Sequence, residues 1–256
     1  MTTTPVMKEK HVLKKQLSQK IIRLMTGLMA GVMACSAMAA SEGGVSFSRN
    51  RIIFPASEKA VSLSVTNGGS GVYLVQAGVY GDQSKRTPAP FIVTPPLFRL
   101  DANSENSMRI IRAGEGLPTD RESVFYFNGL VIPSAKVPGA DGGAKMSATL
   151  SVSMRSVMKL FWRPAGLKPA ADKAPDALRF VRTAQGVRVI NPTPYFQSFA
   201  QFSVDGKDVE LDRIPSMVSP FGELEFQTKG AVHSVTWRVM NDYGGTTRAK
   251  TQSVEG

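Results

Sequence analysis

From Val45 to Asn241 the chain is a succession of short alternating or continuous apolar runs, most of them bounded by glycine, proline, asparagine or aspartate. Period-two alternation puts successive side chains on opposite faces of an extended strand, whereas a helix needs apolar positions at i, i+3, i+4 and i+7. Val45–Phe54, Ala60–Asn67, Tyr73–Tyr80, Phe91–Thr94, Phe98–Leu100, Ser107–Arg112, Ser123–Ile132 and Met146–Trp162 read as strands. Phe180–Thr183, Gly186–Ile190, Gln197–Val204, Glu223–Thr228 and Ser234–Asn241 follow. With no long amphipathic pattern among them, the expectation is an all-β chain built of β-sandwiches. The stretch Pro164-Ala-Gly-Leu-Lys-Pro-Ala-Ala marks a boundary after the longest run. It predicts a first domain over 40–164, a linker over 165–170 and a second domain over 171–256, each long enough for its own core.

The first thirty-nine residues are read apart from the fold. Lys8, Lys10, Lys14, Lys15, Lys20 and Arg23 precede the apolar run Leu24–Cys35 and the small-x-small triplet Ala37-Met38-Ala39. That is a secretory signal peptide pattern, with an apolar run too short to span a bilayer. A lipoprotein signal at Val32-Met33-Ala34-Cys35 is the alternative, with Met33 a poor fit. Cleavage after Ala39 leaves 217 residues and, with only Glu9 offsetting those six cations, lowers the formal net charge from +11 to +6. Nothing interleaves aromatics with basic runs as a nucleic-acid platform would, so no nucleic-acid partner is expected. Cys35 is the single cysteine and leaves with the signal, so the exported chain relies on its cores rather than on disulfides.

Catalytic patterns are lacking. His233 is the one histidine beyond the signal, and no Gly-x-Ser-x-Gly, His-Glu-x-x-His or cysteine pair occurs. The sequence therefore predicts neither an enzyme nor a metal, cofactor or small-molecule substrate site. Gly68-Gly69-Ser70-Gly71 lacks the Lys-Ser/Thr of a phosphate loop and reads as a hairpin turn. Pro133–Lys145 is rich in turn residues and reads as a mobile loop.

Chemistry concentrates in Leu150–Pro164. Alternation puts Leu150, Val152 and Met154 on one face, and the run ends in Lys159, Trp162 and Arg163. Such a strand can lend its edge to another chain and hold that chain's acidic terminus; the plainer alternative is a strand facing its own core. Arg49-Asn50-Arg51 lies on an early run. Glu122, Arg163 and Asp242 sit among apolar neighbours, where charges are costly unless paired, which points to a shared ion-pair network between domains.

Several segments resemble, together, the signatures of the periplasmic pilus chaperones, the PapD-like family of chaperone–usher systems. They are Thr94-Pro-Pro, Asp120-Arg-Glu-Ser-Val-Phe-Tyr-Phe-Asn128, Lys159-Leu-Phe-Trp-Arg-Pro164, Asn191-Pro-Thr-Pro-Tyr195 and Asn241-Asp-Tyr-Gly-Gly245. The resemblance runs from about Val45 to Gly245. It implies two immunoglobulin-like domains in a boomerang arrangement, located in the periplasm. It assigns Arg51 and Lys159 to anchoring a pilin's C-terminal carboxylate, and Leu150, Val152 and Met154, extended by Ala148 or Met158, to a strand donated to the pilin's open groove. It assigns Glu122, Arg163 and Asp242 to an interdomain ion-pair set and places a cis peptide at Thr94-Pro95. The implied partners are pilin or fimbrial subunits and an outer-membrane usher, and the uncovered apolar edge leaves self-association open to the free chaperone. An exported immunoglobulin-like structural or adhesive module is the alternative function.

Overall fold

A computed structural model describes residues 44–134, 152–228 and 230–256. The signal region, Ala148, Leu150 and most of the loop expected over Pro133–Lys145 lie outside these residues.

The first half carries β1 (Val45–Phe47), β2 (Arg51–Pro55), β3 (Ala60–Asn67), β4 (Tyr73–Tyr80), β5 (Phe91–Thr94), β6 (Leu97–Leu100), β7 (Ser104–Arg112), β8 (Ser123–Pro133) and β9 (Met154–Arg163). They form a sheet in the order β1-β3-β7-β5 and another in the order β2-β9-β8-β4-β6. The inward positions of these alternating runs, among them Phe54, Val65, Val75, Ile110, Phe127 and Leu160, meet in one core. Gly129 belongs to this packing: a Cβ there would collide with the Phe47 ring, so the residue must stay small for β1 to close over the sandwich.

The second half contains β10 (Arg179–Arg182), β11 (Gly186–Ile190), β12 (Gln197–Val204), β13 (Lys207–Asp208), β14 (Met217–Val218), β15 (Glu223–Gln227), β16 (Ser234–Val239) and β17 (Lys250–Ser253). One sheet runs β10-β11-β15 and the other β13-β12-β16-β17, with β14 also on β12. Phe180, Phe199, Phe202, Phe226 and Trp237 fill a separate core. The chain is thus all-β, in two sandwiches.

Three expectations change. Val45–Phe54 is not one strand: it breaks at Ser48–Asn50, and its halves join opposite sheets, β1 pairing with β3 and β2 running parallel to β9. The Gly68–Gly71 stretch is not a hairpin turn, because β3 pairs with β1 and β7 while β4 pairs with β6 and β8. It carries the chain from one sheet to the other. Met158 cannot extend a donated row, since it is 4 % exposed within the first core. The peptide bond at Thr94-Pro95 is cis, as is that at Lys168-Pro169.

Candidate functional site

The parallel pairing of β2 with β9 makes Arg51 and Lys159 register partners. Both point away from the core, because Ile52 and Phe54 on β2 and Met158, Leu160 and Trp162 on β9 take the inward positions. Arg51 is nevertheless only 6 % exposed. Its guanidinium lies 4.0 Å over the Phe161 ring, and its Nη1 donates to Ser198 Oγ at 3.4 Å. Its Nε has no partner among the described residues. Burial lowers the Arg51 pKa against the upward pull of Glu122 and Asp242, while burial and then the neighbouring Arg51 lower that of Lys159. Among the described residues Lys159 makes no ion pair. Two desolvated cations side by side, with donors to spare, can receive an anion. A cleft of about 480 Å³ lined by Ser48, Arg49, Arg51, Ile53, Asp242 and Tyr243 opens next to Arg51.

The register also exposes an edge. β2 begins opposite Lys159, so the Met154–Met158 backbone faces β8 on one side and no strand of the described residues on the other. Met154 opens β9, and Val152, just before it and outside any strand, is 71 % exposed. Residues of the even-numbered row therefore divide: Met158, Leu160 and Trp162 fill this chain's own core, while Val152 and Met154 lie beyond it, 71 % and 42 % exposed.

Beside the cations, Arg163 Nε donates to Glu122 Oε1 at 2.7 Å, and its Nη1 and Nη2 donate to the two Asp242 oxygens at 2.6 and 2.7 Å. A turn in the second domain completes the arrangement. The Asn191 amide donates to Tyr195 O and accepts from the Thr193 N–H and hydroxyl. The turn so held presents the Phe196 N–H to Glu122 Oε2 at 2.9 Å and the Tyr195 ring to Arg163, while Pro194 O accepts from the Glu122 N–H. Burial raises the Glu122 pKa despite these donors; it would also raise that of Asp242, but Arg163 holds Asp242 below its ordinary value. The Arg163 pKa is raised, because its two carboxylate partners outweigh burial.

The model of the pili and flagellar-assembly chaperone PapD N-terminal domain matches residues 44–168, and that of the pili assembly chaperone PapD C-terminal domain matches 173–251. The chain belongs to the PapD family of pilus assembly chaperones. It is 39 % identical over 224 residues to the probable fimbrial chaperone protein ElfD of Escherichia coli K12, covering 86 % of this chain and 91 % of that one. It is 36 % identical over 234 residues to the chaperone protein FimC of the same strain, covering 89 % and 93 %. A chain from the Salmonella enterica SafA pilin in complex with the SafB chaperone matches with a TM-score of 0.72 at 31 % identity, covering 83 % of this chain and 97 % of that chain.

In this PapD-family chain the structure gathers Arg51, Lys159, Glu122, Arg163 and Asp242 where the two sandwiches meet, and it puts Met154 at the start of β9 with Val152 just before the strand. Sequence reasoning missed Phe161 beneath Arg51, Ser198 against its guanidinium, and Asn50, whose Nδ2 donates to Gly244 O at 3.0 Å. Phe161 was within reach of the alternation pattern, since an outward aromatic beside Lys159 breaks the polar row. Ser198 and Asn50 left no such signal. His233, exposed and 3.4 Å from Asp205, belongs to a turn remote from the cations.

Proposed function

We propose that this chain is a periplasmic chaperone that binds pilin subunits one to one, shields them from aggregation, and delivers them to an outer-membrane usher. The observation that carries the reading is the Arg51–Lys159 pair at the foot of a strand edge that no strand of the described residues pairs. The pair receives the subunit's C-terminal carboxylate. The backbone of β9 and of the residues before it then pairs with the subunit's open groove, filled by Leu150, Val152 and Met154. Glu122, Arg163 and Asp242 hold the angle between domain 40–164 and domain 171–256 and do not touch the client. The subunit leaves when another strand displaces the donated one, so no nucleotide, cofactor or catalytic step is needed, and the chain is not an enzyme. Kinship with ElfD and FimC, and likeness to the SafA–SafB structure, support this reading over an adhesive module.

The test is a periplasmic pull-down in the native host with tagged wild type, Arg51→Ala and Lys159→Ala, the partners being identified by mass. A pilin-like protein captured by wild type and lost from both folded variants supports the reading. Equal capture by all three overturns the carboxylate anchor.

A further inference from the structure

The loop that follows β16 grips the first domain at two points. Asp242 takes Arg163 through both its oxygens, and Gly244 O accepts the Asn50 Nδ2 proton at 3.0 Å. The loop is itself stiff: Asn241 Oδ1 accepts from the Tyr243 and Gly245 N–H groups at 3.0 Å each, and Asn241 N–H donates to Gly245 O. Gly244 adopts φ +82°, and a Cβ there would occupy the space of the Asn50 amide. The contact therefore requires both residues as they are, a glycine that lets the backbone approach and an asparagine that donates.

The two grips fall at the ends of the strands that carry the cations. Arg163 ends β9, four residues beyond Lys159, and Asn50 immediately precedes Arg51 at the start of β2. Asn50 also lies in the break that sends β1 and β2 to opposite sheets, so no ladder hydrogen bond holds it. A side-chain bond to a stiff loop is what fixes the chain just before Arg51. From the other side, Ser198 at the second residue of β12 meets the Arg51 guanidinium, and Phe161 beneath it packs on Phe196 with ring centroids 5.6 Å apart.

We propose that Asn50, clasped to Gly244, is a positioning residue for Arg51, so that the second domain sets how well the first recognises a carboxylate. The inference rests on the proposed carboxylate anchor. A cation held in one orientation gives bidentate carboxylate binding its full effect, whereas a freely rotating one forfeits part of it. Asn50 acts through Arg51 and touches no client.

The test separates carboxylate recognition from strand pairing. The probes are a dye-labelled peptide of alternating valine and threonine ending in a free carboxylate and the same peptide ending in an amide, titrated against the purified chain. Wild type should bind the acid about tenfold more tightly than the amide, and Arg51→Ala should erase the difference. Asn50→Ala and Asn50→Asp, which lack the donor, should cut the preference to about threefold while leaving affinity for the amide unchanged. Gly244→Ala should do the same; if it fails to fold, the exposed Asn50 decides. An undiminished preference in Asn50→Ala overturns the proposal, as does an equal loss of affinity for both peptides, which would mark a merely structural contact. If wild type and Arg51→Ala both fail to prefer the acid, the carboxylate anchor itself is wrong.

Discussion

Arg51 and Lys159 are neighbours across a parallel strand pair, pointing the same way, and the burial that lowers both their pKa values is worsened for Lys159 by Arg51. Burying two like charges side by side does not favour the fold, and the carboxylate anchor proposed for the pair supplies the opposite charge that would offset it.

Lys159→Met should therefore leave the free protein as stable as wild type or slightly more so, since it removes a desolvated charge and keeps an unbranched apolar stem. Truncating one partner of a buried charge pair typically costs about 2–5 kcal/mol of binding, so client affinity should fall at least ~30-fold. Thermal melting and client titration of the same sample check both halves.

Val152 and Met158 lie on the same face of one run, yet their substitutions should diverge. Val152→Asp changes a residue 71 % exposed outside any strand, so the thermal midpoint should hold while client binding weakens about tenfold or more, the worth of one buried aliphatic side chain. Met158→Asp places an unpaired carboxylate in a closed core and should abolish cooperative melting of the first domain.

Removing Glu122 strands the Phe196 N–H and takes one of the two carboxylates from Arg163. Glu122→Ala should lower stability by about 3–5 kcal/mol, as breaking a buried pair does. It should also broaden the interdomain angle seen by small-angle scattering. An unchanged melting curve and scattering profile would contradict the structural role given to this carboxylate.

The two carboxylates of the network should leave opposite marks on stability against pH. Asp242 is depressed below 3.8 in the folded chain, so its contribution is complete above that value and is lost as pH falls through the lower, folded value. Asp242→Asn should flatten the acid limb of a plot of thermal midpoint against pH. Glu122 is raised above 4.5, so stability should decline as pH climbs from 4.5 through the raised value, and Glu122→Gln should remove that slope.

The strands were legible wherever one face is buried. Val75, Ala77 and Val79 on β4 alternate because a sandwich strand has an inside and an outside. β17 (Lys-Thr-Gln-Ser) went unseen because its place depends on backbone pairing with β16 rather than on an apolar row. Lys207–Asp208 and Met217–Val218 are too short to show any period. The charged residues could be picked out singly, since Glu122 and Arg163 among aromatics are conspicuous before any partner is known.

What lay in the order of residues, then, was the β architecture, the export signal pattern, and the identity of the charged groups, because each depends on neighbours a few positions apart. Which charges meet was settled by folding. Asn50 and Gly244 are 194 residues apart, and Arg163 and Asp242 are 79 apart. No local pattern encodes such distances, and only the packing of one sandwich against the other closes them. The same holds for the row that runs into β9: Val152, Met154 and Met158 are alike as apolar even-numbered positions, and the extent of the core decides that Met158 is inside and Val152 is left in the open.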